Sequence, residues 1–176
     1  MAIRKIVTLG DDSLRKHCKP QEKFDKRLAM LLKDMADTMY KAEGVGLAAP
    51  QVGILRRIAV VDVTEDHSGL LEMVNPEIIE REGEQTGREG CLSIPGVYCD
   101  VVRPKKMTVR YYNEDLQQVT EEFDNFAARM IQHELSHLDG DLFTDHAAPI
   151  RKKMISSKLQ NIQKGKVHPH YNSKLK

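Results

Sequence analysis

His133 and His137 stand four residues apart, with Glu134 beside the first, in the run Gln132-His133-Glu134-Leu135-Ser136-His137. On an α-helix residues i and i+4 lie on one face, so both imidazoles can grip one ion. Glu134, about 100° further round the helix, reaches a water held by that ion. H-E-x-x-H on a helix is the pattern of a hydrolytic metal site whose Glu moves protons. An amphipathic helix can carry the same spacing with no chemistry attached, so the rest of the chain has to supply a further ligand and a pocket.

A catalytic ion needs three protein ligands and one open position. Two peptidase patterns can be tested for the third ligand. The metzincin type ends H-E-x-x-H-x-x-G-x-x-H; Gly140 fits, but Phe143 occupies the last place. The thermolysin type takes a Glu from a later helix, and no Glu follows Glu134. The remaining candidates are Cys91, Asp141, Asp145, His146 and the C-terminal His168 and His170. Cys91 is the most suitable: beside Gly90, in the compact turn Glu89-Gly90-Cys91-Leu92-Ser93-Ile94-Pro95-Gly96, its sulfur can approach an ion without steric hindrance.

A pocket is legible as well. Phe126, Met130, His133 and His137 share one face of the motif helix, which puts two apolar side chains beside the ion. The stretch Gly44-Val45-Gly46-Leu47-Ala48-Ala49-Pro50-Gln51-Val52-Gly53 is small and uncharged, with Gln51 its one amide. It lacks the lysine and the preceding strand of a phosphate loop. It reads as a loop buried against the site, where Gln51 can offer an N–H to a bound carbonyl.

The elements that must position these residues follow from periodicity. Leu28, Leu31, Leu32, Met35, Met39 and Ala42 recur at helical spacing, predicting a helix over 25–42 capped by Asp25 and stopped by Gly44. Strands are expected at 57–63, 70–74 and 77–82, the last two separated by Asn75-Pro76. Residues 82–89 read as loop and 97–102 as a short strand. A hairpin is expected from 105–112 and 117–123. The motif helix spans 125–138 and ends at Gly140. Pro149 opens a last helix, over 149–164, with Ile150, Met154, Ile155, Leu159 and Ile162 as its apolar stripe. Strands in runs between helices predict an α+β fold: mainly antiparallel sheets packed around the central motif helix, with a C-terminal helix. Residues 1–165 are expected to form one domain, and 166–176 a basic tail whose order the sequence leaves open.

Composition sets the class. The chain has 176 residues, 40% apolar and 30% charged, ordinary for a globular domain with a real core. No apolar run nears the ~20 residues of a membrane span, and Met1-Ala2-Ile3-Arg4-Lys5 leads into no signal-peptide core. Three cysteines, Cys18, Cys91 and Cys99, suit a reducing compartment; a cytoplasmic protein with no membrane or DNA partner is expected. Residues 1–150 hold 19 basic and 26 acidic residues, whereas 151–176 hold eight basic and none acidic. An acidic body with a basic end suggests an anionic partner for that end.

Three stretches, Gly44-Val45-Gly46-Leu47-Ala48-Ala49-Pro50-Gln51, Glu89-Gly90-Cys91-Leu92-Ser93 and Gln132-His133-Glu134-Leu135-Ser136-His137, resemble in order the three signature motifs of peptide deformylases. Total length and spacing are similar too. The resemblance implies a hydrolase that removes the formyl group from formyl-methionine at the N-terminus of new polypeptides, releasing formate. It implies Cys91, His133 and His137 as ligands of one divalent ion, natively often Fe²⁺, with Zn²⁺, Ni²⁺ or Co²⁺ able to occupy the site. It implies attack by a metal-held hydroxide, Glu134 as general acid and base, and the Gln51 amide and Leu92 N–H as donors to the formyl oxygen. Val45, Phe126 and Met130 are candidates for the methionine pocket, and Gly46 and Gly90 for holding the peptide backbone. The ribosome is the candidate partner of the basic helix. One departure stands out: the family's usual Asp before the second histidine is Ser136 here, which removes a charge expected to pair with a base such as Arg103. Two rival readings are a peptidase on the same scaffold and an idle metal-binding module whose tail binds RNA. The first predicts cleavage of internal peptide bonds; the second predicts no turnover with any metal.

Overall fold

A computed structural model describes residues 2–167. The C-terminal tail beyond that point, with His168 and His170, lies outside the described residues.

Helix α1 spans Lys26–Lys41. The Asp25 carboxylate accepts hydrogen bonds from the Arg27 and Leu28 amides at 3.1 and 3.2 Å, satisfying donors the first turn leaves free. At its far end Glu43, rather than Gly44, takes the left-handed conformation (φ 58°), and the Gly44 amide donates back to the Met39 carbonyl at 3.0 Å.

Among the described residues, seven strands follow the expected antiparallel scheme. Strands β1 (Gly46–Ala48), β2 (Ile58–Val61), β3 (Leu71–Glu82), β6 (Lys106–Tyr112) and β7 (Gln118–Asp124) form one sheet in that order. Strands β4 (Gln85–Cys91) and β5 (Ile94–Arg103) form a separate ribbon. The large sheet is sandwiched. Side chains alternate along a strand, so Ile58 and Val60 of β2 face α1 with Leu32, Met35 and Met39, while Ala59 and Val61 face the other side with Ile131 and Leu135. Those last two belong to helix α2, Asn125–His137. Helix α3, Pro149–Gln163, lays Ile155 and Ile162 on Val97, Cys99 and Val101 of β5. Among the described residues no helix is long and apolar enough to cross a membrane.

Four expectations need correction. Asn75-Pro76 does not break β3; the strand continues with a register shift between Val74 and Glu77. Asn75 adopts φ 51° there, and its side chain bonds both backbone groups of Gln21, which holds the irregularity in place. Residues 85–91 are strand rather than loop, paired to β5 from Gln85↔Arg103 onward. Its buried inward residue is Glu89, so no apolar alternation betrays it. Residues 46–48 are a short buried strand within the stretch read as loop. On α3 the apolar stripe is narrower than expected: Ile155 and Ile162 are buried, but Ile150 and Met154 are 73% and 66% exposed.

The N-terminal turn Asp12–Arg15 is tied to the segment after α2. Arg15 grips Asp145 with both terminal nitrogens, at 2.6 and 3.0 Å, and reaches the Gly140 carbonyl. Burial pushes the Asp145 carboxyl up, but the Arg15 and Leu142 hydrogen bonds outweigh it and hold the group at about 2. Its stabilisation is therefore complete above the unfolded value of about 4 and is lost as pH falls through about 2. A half-exposed pair of this kind is worth about 1 kcal/mol or less. Asp145→Asn should lower the melting temperature at pH 7 by a few degrees, roughly 2–4 °C. That gap should close between about pH 4 and 2; a gap of constant size across this range would contradict the assignment.

Candidate active site

The ends of three elements meet at one point. Cys91 closes β4, and the two-residue turn Leu92-Ser93 returns the chain as β5, with Cys91 paired to Ile94. Helix α2 presents His133 and His137 from consecutive turns, their ring centroids 5.2 Å apart. Cys91 Sγ lies 3.4 Å from His137 Nε2, and the ligand atoms of Cys91, His133 and His137 all fall within 4.8 Å of one another. Among the described residues, Cys91 is the candidate third ligand that the fold places beside the two histidines. Asp141 and His146 pair with each other, and Asp145 with Arg15.

Gln51 sits on the short helical turn Ala49–Val52 just after β1. Its Oε1 accepts from the Ala48 amide at 2.9 Å, which fixes the amide orientation. Its Nε2 then donates toward Ser93 Oγ at 3.1 Å and Cys91 Sγ at 3.5 Å. A donor is therefore aimed at the ligand cluster, as the sequence suggested.

Glu134 is 5% exposed, with Oε1 4.0 Å from His133 Nε2. Burial pushes its carboxyl up to about 7, close to the value at which one group can both take and return a proton. Gly46 explains how it fits. A Cβ at that position would stand 2.5 Å from Glu134 Oε1 and 2.7 Å from its Cγ. Gly46→Ala should therefore displace the carboxylate, and a shift near 1 Å at reacting groups can lower turnover by about 10²-fold. The ligand cluster should still bind metal. Full turnover in that variant would show the carboxylate is placed by something else.

Behind the ligands lies a buried charge cluster that the sequence reading missed. Glu89, 1% exposed, accepts from or pairs with three cations or donors: His133 Nδ1 at 3.0 Å, Arg103 at 2.8 and 3.0 Å, and Arg129 Nη1 at 2.7 Å. Burial pushes the Glu89 carboxyl up, but the His133 and Arg103 hydrogen bonds reverse this and hold it at about 2. With Nδ1 of His133 engaged, Nε2 is the nitrogen left for the cluster, the outer-shell arrangement common at metal-binding histidines. Burial opposes charge on His133, yet Cys91 and Glu89 together raise it to about 10. For His137, burial and the charge of its neighbour His133 lower it well below 6.5. The only sequence signal for this cluster was a Glu beginning the Glu89-Gly90-Cys91 motif. Ser136 points away from the site, donating to the Gln132 carbonyl at 2.8 Å and accepting from Arg103 Nη1 at 3.2 Å. Arg103 is thus its partner, as expected.

A cleft of about 450 Å³ opens over this centre, walled by Val45, Gly46, Gly90, Leu92, Tyr98 and Met130. Gly90 makes room for the Tyr98 ring, which a Cβ would meet at 2.7 Å. Phe126 is not brought into that wall. It lies in the first turn of α2 and is 51% exposed, one turn before Met130.

The donor set tests well for a metal. One sulfur and two ring nitrogens converge, and three such donors are what a catalytic zinc or iron site would take from the protein. Glu134 Oε2 is buried without a protein partner among the described residues. Three converging metal-binding side chains beside a buried carboxylate fit the class of metal-dependent hydrolases.

The polypeptide deformylase family model matches residues 3–153, and the chain belongs to that family. The peptide deformylase of Thermoanaerobacter pseudethanolicus is 50% identical over 147 residues, 84% of this chain and 91% of its own. The crystal structure of a peptide deformylase from Legionella pneumophila superposes with a TM-score of 0.87 at 44% identity, covering 93% of this chain and 96% of that one. A peptide deformylase from Synechococcus elongatus, solved in complex with actinonin, gives 0.84 at 39% identity, covering 88% and 87%.

Proposed function

We propose that this chain removes the formyl group from the N-terminal methionine of newly made polypeptides. The observation that carries this reading is the convergence of Cys91, His133 and His137 beside buried Glu134 at the floor of a cleft. Cys91, His133 and His137 hold one divalent ion, which supplies the Lewis acidity that makes water nucleophilic near neutral pH. Glu134 takes the proton of the attacking water and returns it to the amine as the C–N bond breaks, leaving formate and a free N-terminus. The Gln51 amide and the Leu92 N–H donate to the formyl oxygen as it gains charge. Val45 and Met130 receive the methionine side chain, and Gly46 and Gly90 let the extended peptide backbone lie close.

Fe²⁺ is the native ion in this reading, and Zn²⁺, Ni²⁺ or Co²⁺ can replace it. Affinity alone favours zinc over iron, so supply decides. The test is to purify the protein without air, measure its metal, and assay formate from a formyl-Met tripeptide. Metal bound with no formate would overturn the reading, and cleavage of internal bonds would point to a peptidase.

The basic face of α3 supports the ribosome as a docking partner. Lys152, Lys153 and Lys158 are exposed, beside exposed Ile150 and Met154. Arg151 is already committed, donating to the Tyr98 carbonyl at 2.7 and 3.1 Å. Binding through lysines to phosphate should fall steeply with salt. Co-sedimentation with ribosomes that is insensitive to salt, or absent at low salt, would count against it.

A further inference from the structure

On the far side of α2 from the cleft, a second cavity of about 600 Å³ opens against Arg57, Arg81, Arg103, Ile78, Leu135 and Ser136. Three carboxylates also reach it, and each already has a side-chain partner. Asp139 pairs with Arg57 at 2.9 Å, Glu77 with Arg110 at 2.9 Å, and Asp141 with His146. The lining arginines without a carboxylate of their own are Arg81 and Arg103. The Arg81 guanidinium has no partner among the described residues. Arg103, 6% exposed, shares the single carboxylate of Glu89 with the equally buried Arg129.

The remaining terminal nitrogen of Arg103 faces a neutral group. Nη1 donates to Ser136 Oγ at 3.2 Å, and that hydroxyl gives its own proton to Gln132. Two buried guanidiniums with one carboxylate between them leave an uncompensated charge. In a partly dry site such a charge attracts an anion far more strongly than a surface cation does. The wall is not purely polar, because Leu135 and Ile78 supply apolar surface beside the arginine.

We infer that this cavity is a binding site for a short-chain carboxylate. The carboxylate head lies against Arg103 Nη1 beside Ser136 and within the field of Arg81. The apolar body rests on Leu135 and Ile78. The site is separate from the hydrolytic centre and does not depend on what that centre cleaves.

The test uses metal-loaded protein and thermal melting with isobutyrate, against isobutyramide and sodium chloride as controls. Isobutyrate should give a saturable rise, roughly 3–5 °C at ten times its dissociation constant; neither control should. Ser136→Asp puts a carboxylate beside Arg103, so it should melt higher without ligand and lose the response to isobutyrate. Arg81→Ala changes an exposed residue away from the hydrolytic centre. It should weaken the apparent affinity several-fold and leave formate release unchanged. An equal rise with chloride or isobutyramide overturns the proposal. So does a rise that survives Ser136→Asp undiminished, because the carboxylate would then be held elsewhere, for instance at the metal ligands, where it would also inhibit competitively. An affinity unchanged in Arg81→Ala overturns the part assigned to that residue.

Discussion

Replacing Glu134 with glutamine lowers formate release from a formyl-Met tripeptide by about 10²–10⁴-fold or more, while metal content and melting temperature stay close to those of the parent protein. The magnitude is that of losing a positioned proton carrier. The retention of metal follows from geometry, since Cys91, His133 and His137 form the cluster without Glu134. Glutamine keeps the volume that packs on Gly46, so a loss of turnover reports proton transfer rather than a cavity. Alanine at the same position would also lose turnover but would leave a void in a buried wall. The informative measurement is the pair of metal stoichiometry and formate rate on one sample. Loss of both together would make Glu134 a structural residue, and retention of both would remove it from the chemistry.

The second large effect is expected outside the ligand cluster. Glu89→Ala takes away the carboxylate that Arg103, Arg129 and His133 Nδ1 share. Two arginines would then be left buried and uncompensated, a change that costs about 3–5 kcal/mol. Total stabilities run at about 5–15 kcal/mol, so the melting temperature should fall by roughly 6–20 °C. The His133 ring would also lose the group that orients it. Loss of such an outer partner typically weakens metal affinity about 10–100-fold. Glu89→Gln separates the two contributions: it keeps an acceptor for His133 but no charge for the arginines. Melting curves with metal analysis after dialysis would read both. A Glu89→Ala protein that melts within a degree or two of the parent and keeps its ion would show that the cluster is not what braces His133.

Linkage gives the same residue a pH signature. Glu89 is held at about 2 in the folded protein, below the usual carboxylate value. Its stabilisation is present above about 4.5 and is lost as pH falls toward 2. Together with Asp145 it places the acid limb of stability below about pH 4.5, well clear of neutrality.

Much of the site was legible in the chain because its chemistry is local. His133, Glu134 and His137 lie within five residues, and a helix converts that spacing directly into a shared face. Helix α1 was legible for the same reason, since a 3.6-residue period and a capping Asp25 need no partner to be recognised. The hairpin of β6 and β7 announces itself by two alternating runs about a polar turn. Cys91 was the preferred of several candidate ligands from its glycine-flanked turn, the family resemblance pointed to it as well, and the return of β4 into β5 put it beside His137.

Tertiary structure decided whatever depends on residues far apart in sequence. Strand β4 carries a buried Glu89 where an apolar residue would mark a strand, and arginines from β5 and α2, with His133, make that burial tolerable. Phe126 shares a helical face with Met130, yet Met130 is buried in the cleft wall while Phe126 is half-exposed, a difference the period alone does not carry. Ile150 and Met154 fit the period of α3, yet β5 is placed to cover only Ile155, Leu159 and Ile162. Periodicity fixes which residues share a face. Which part of that face is covered, and which charges must be buried together, is settled by long-range packing.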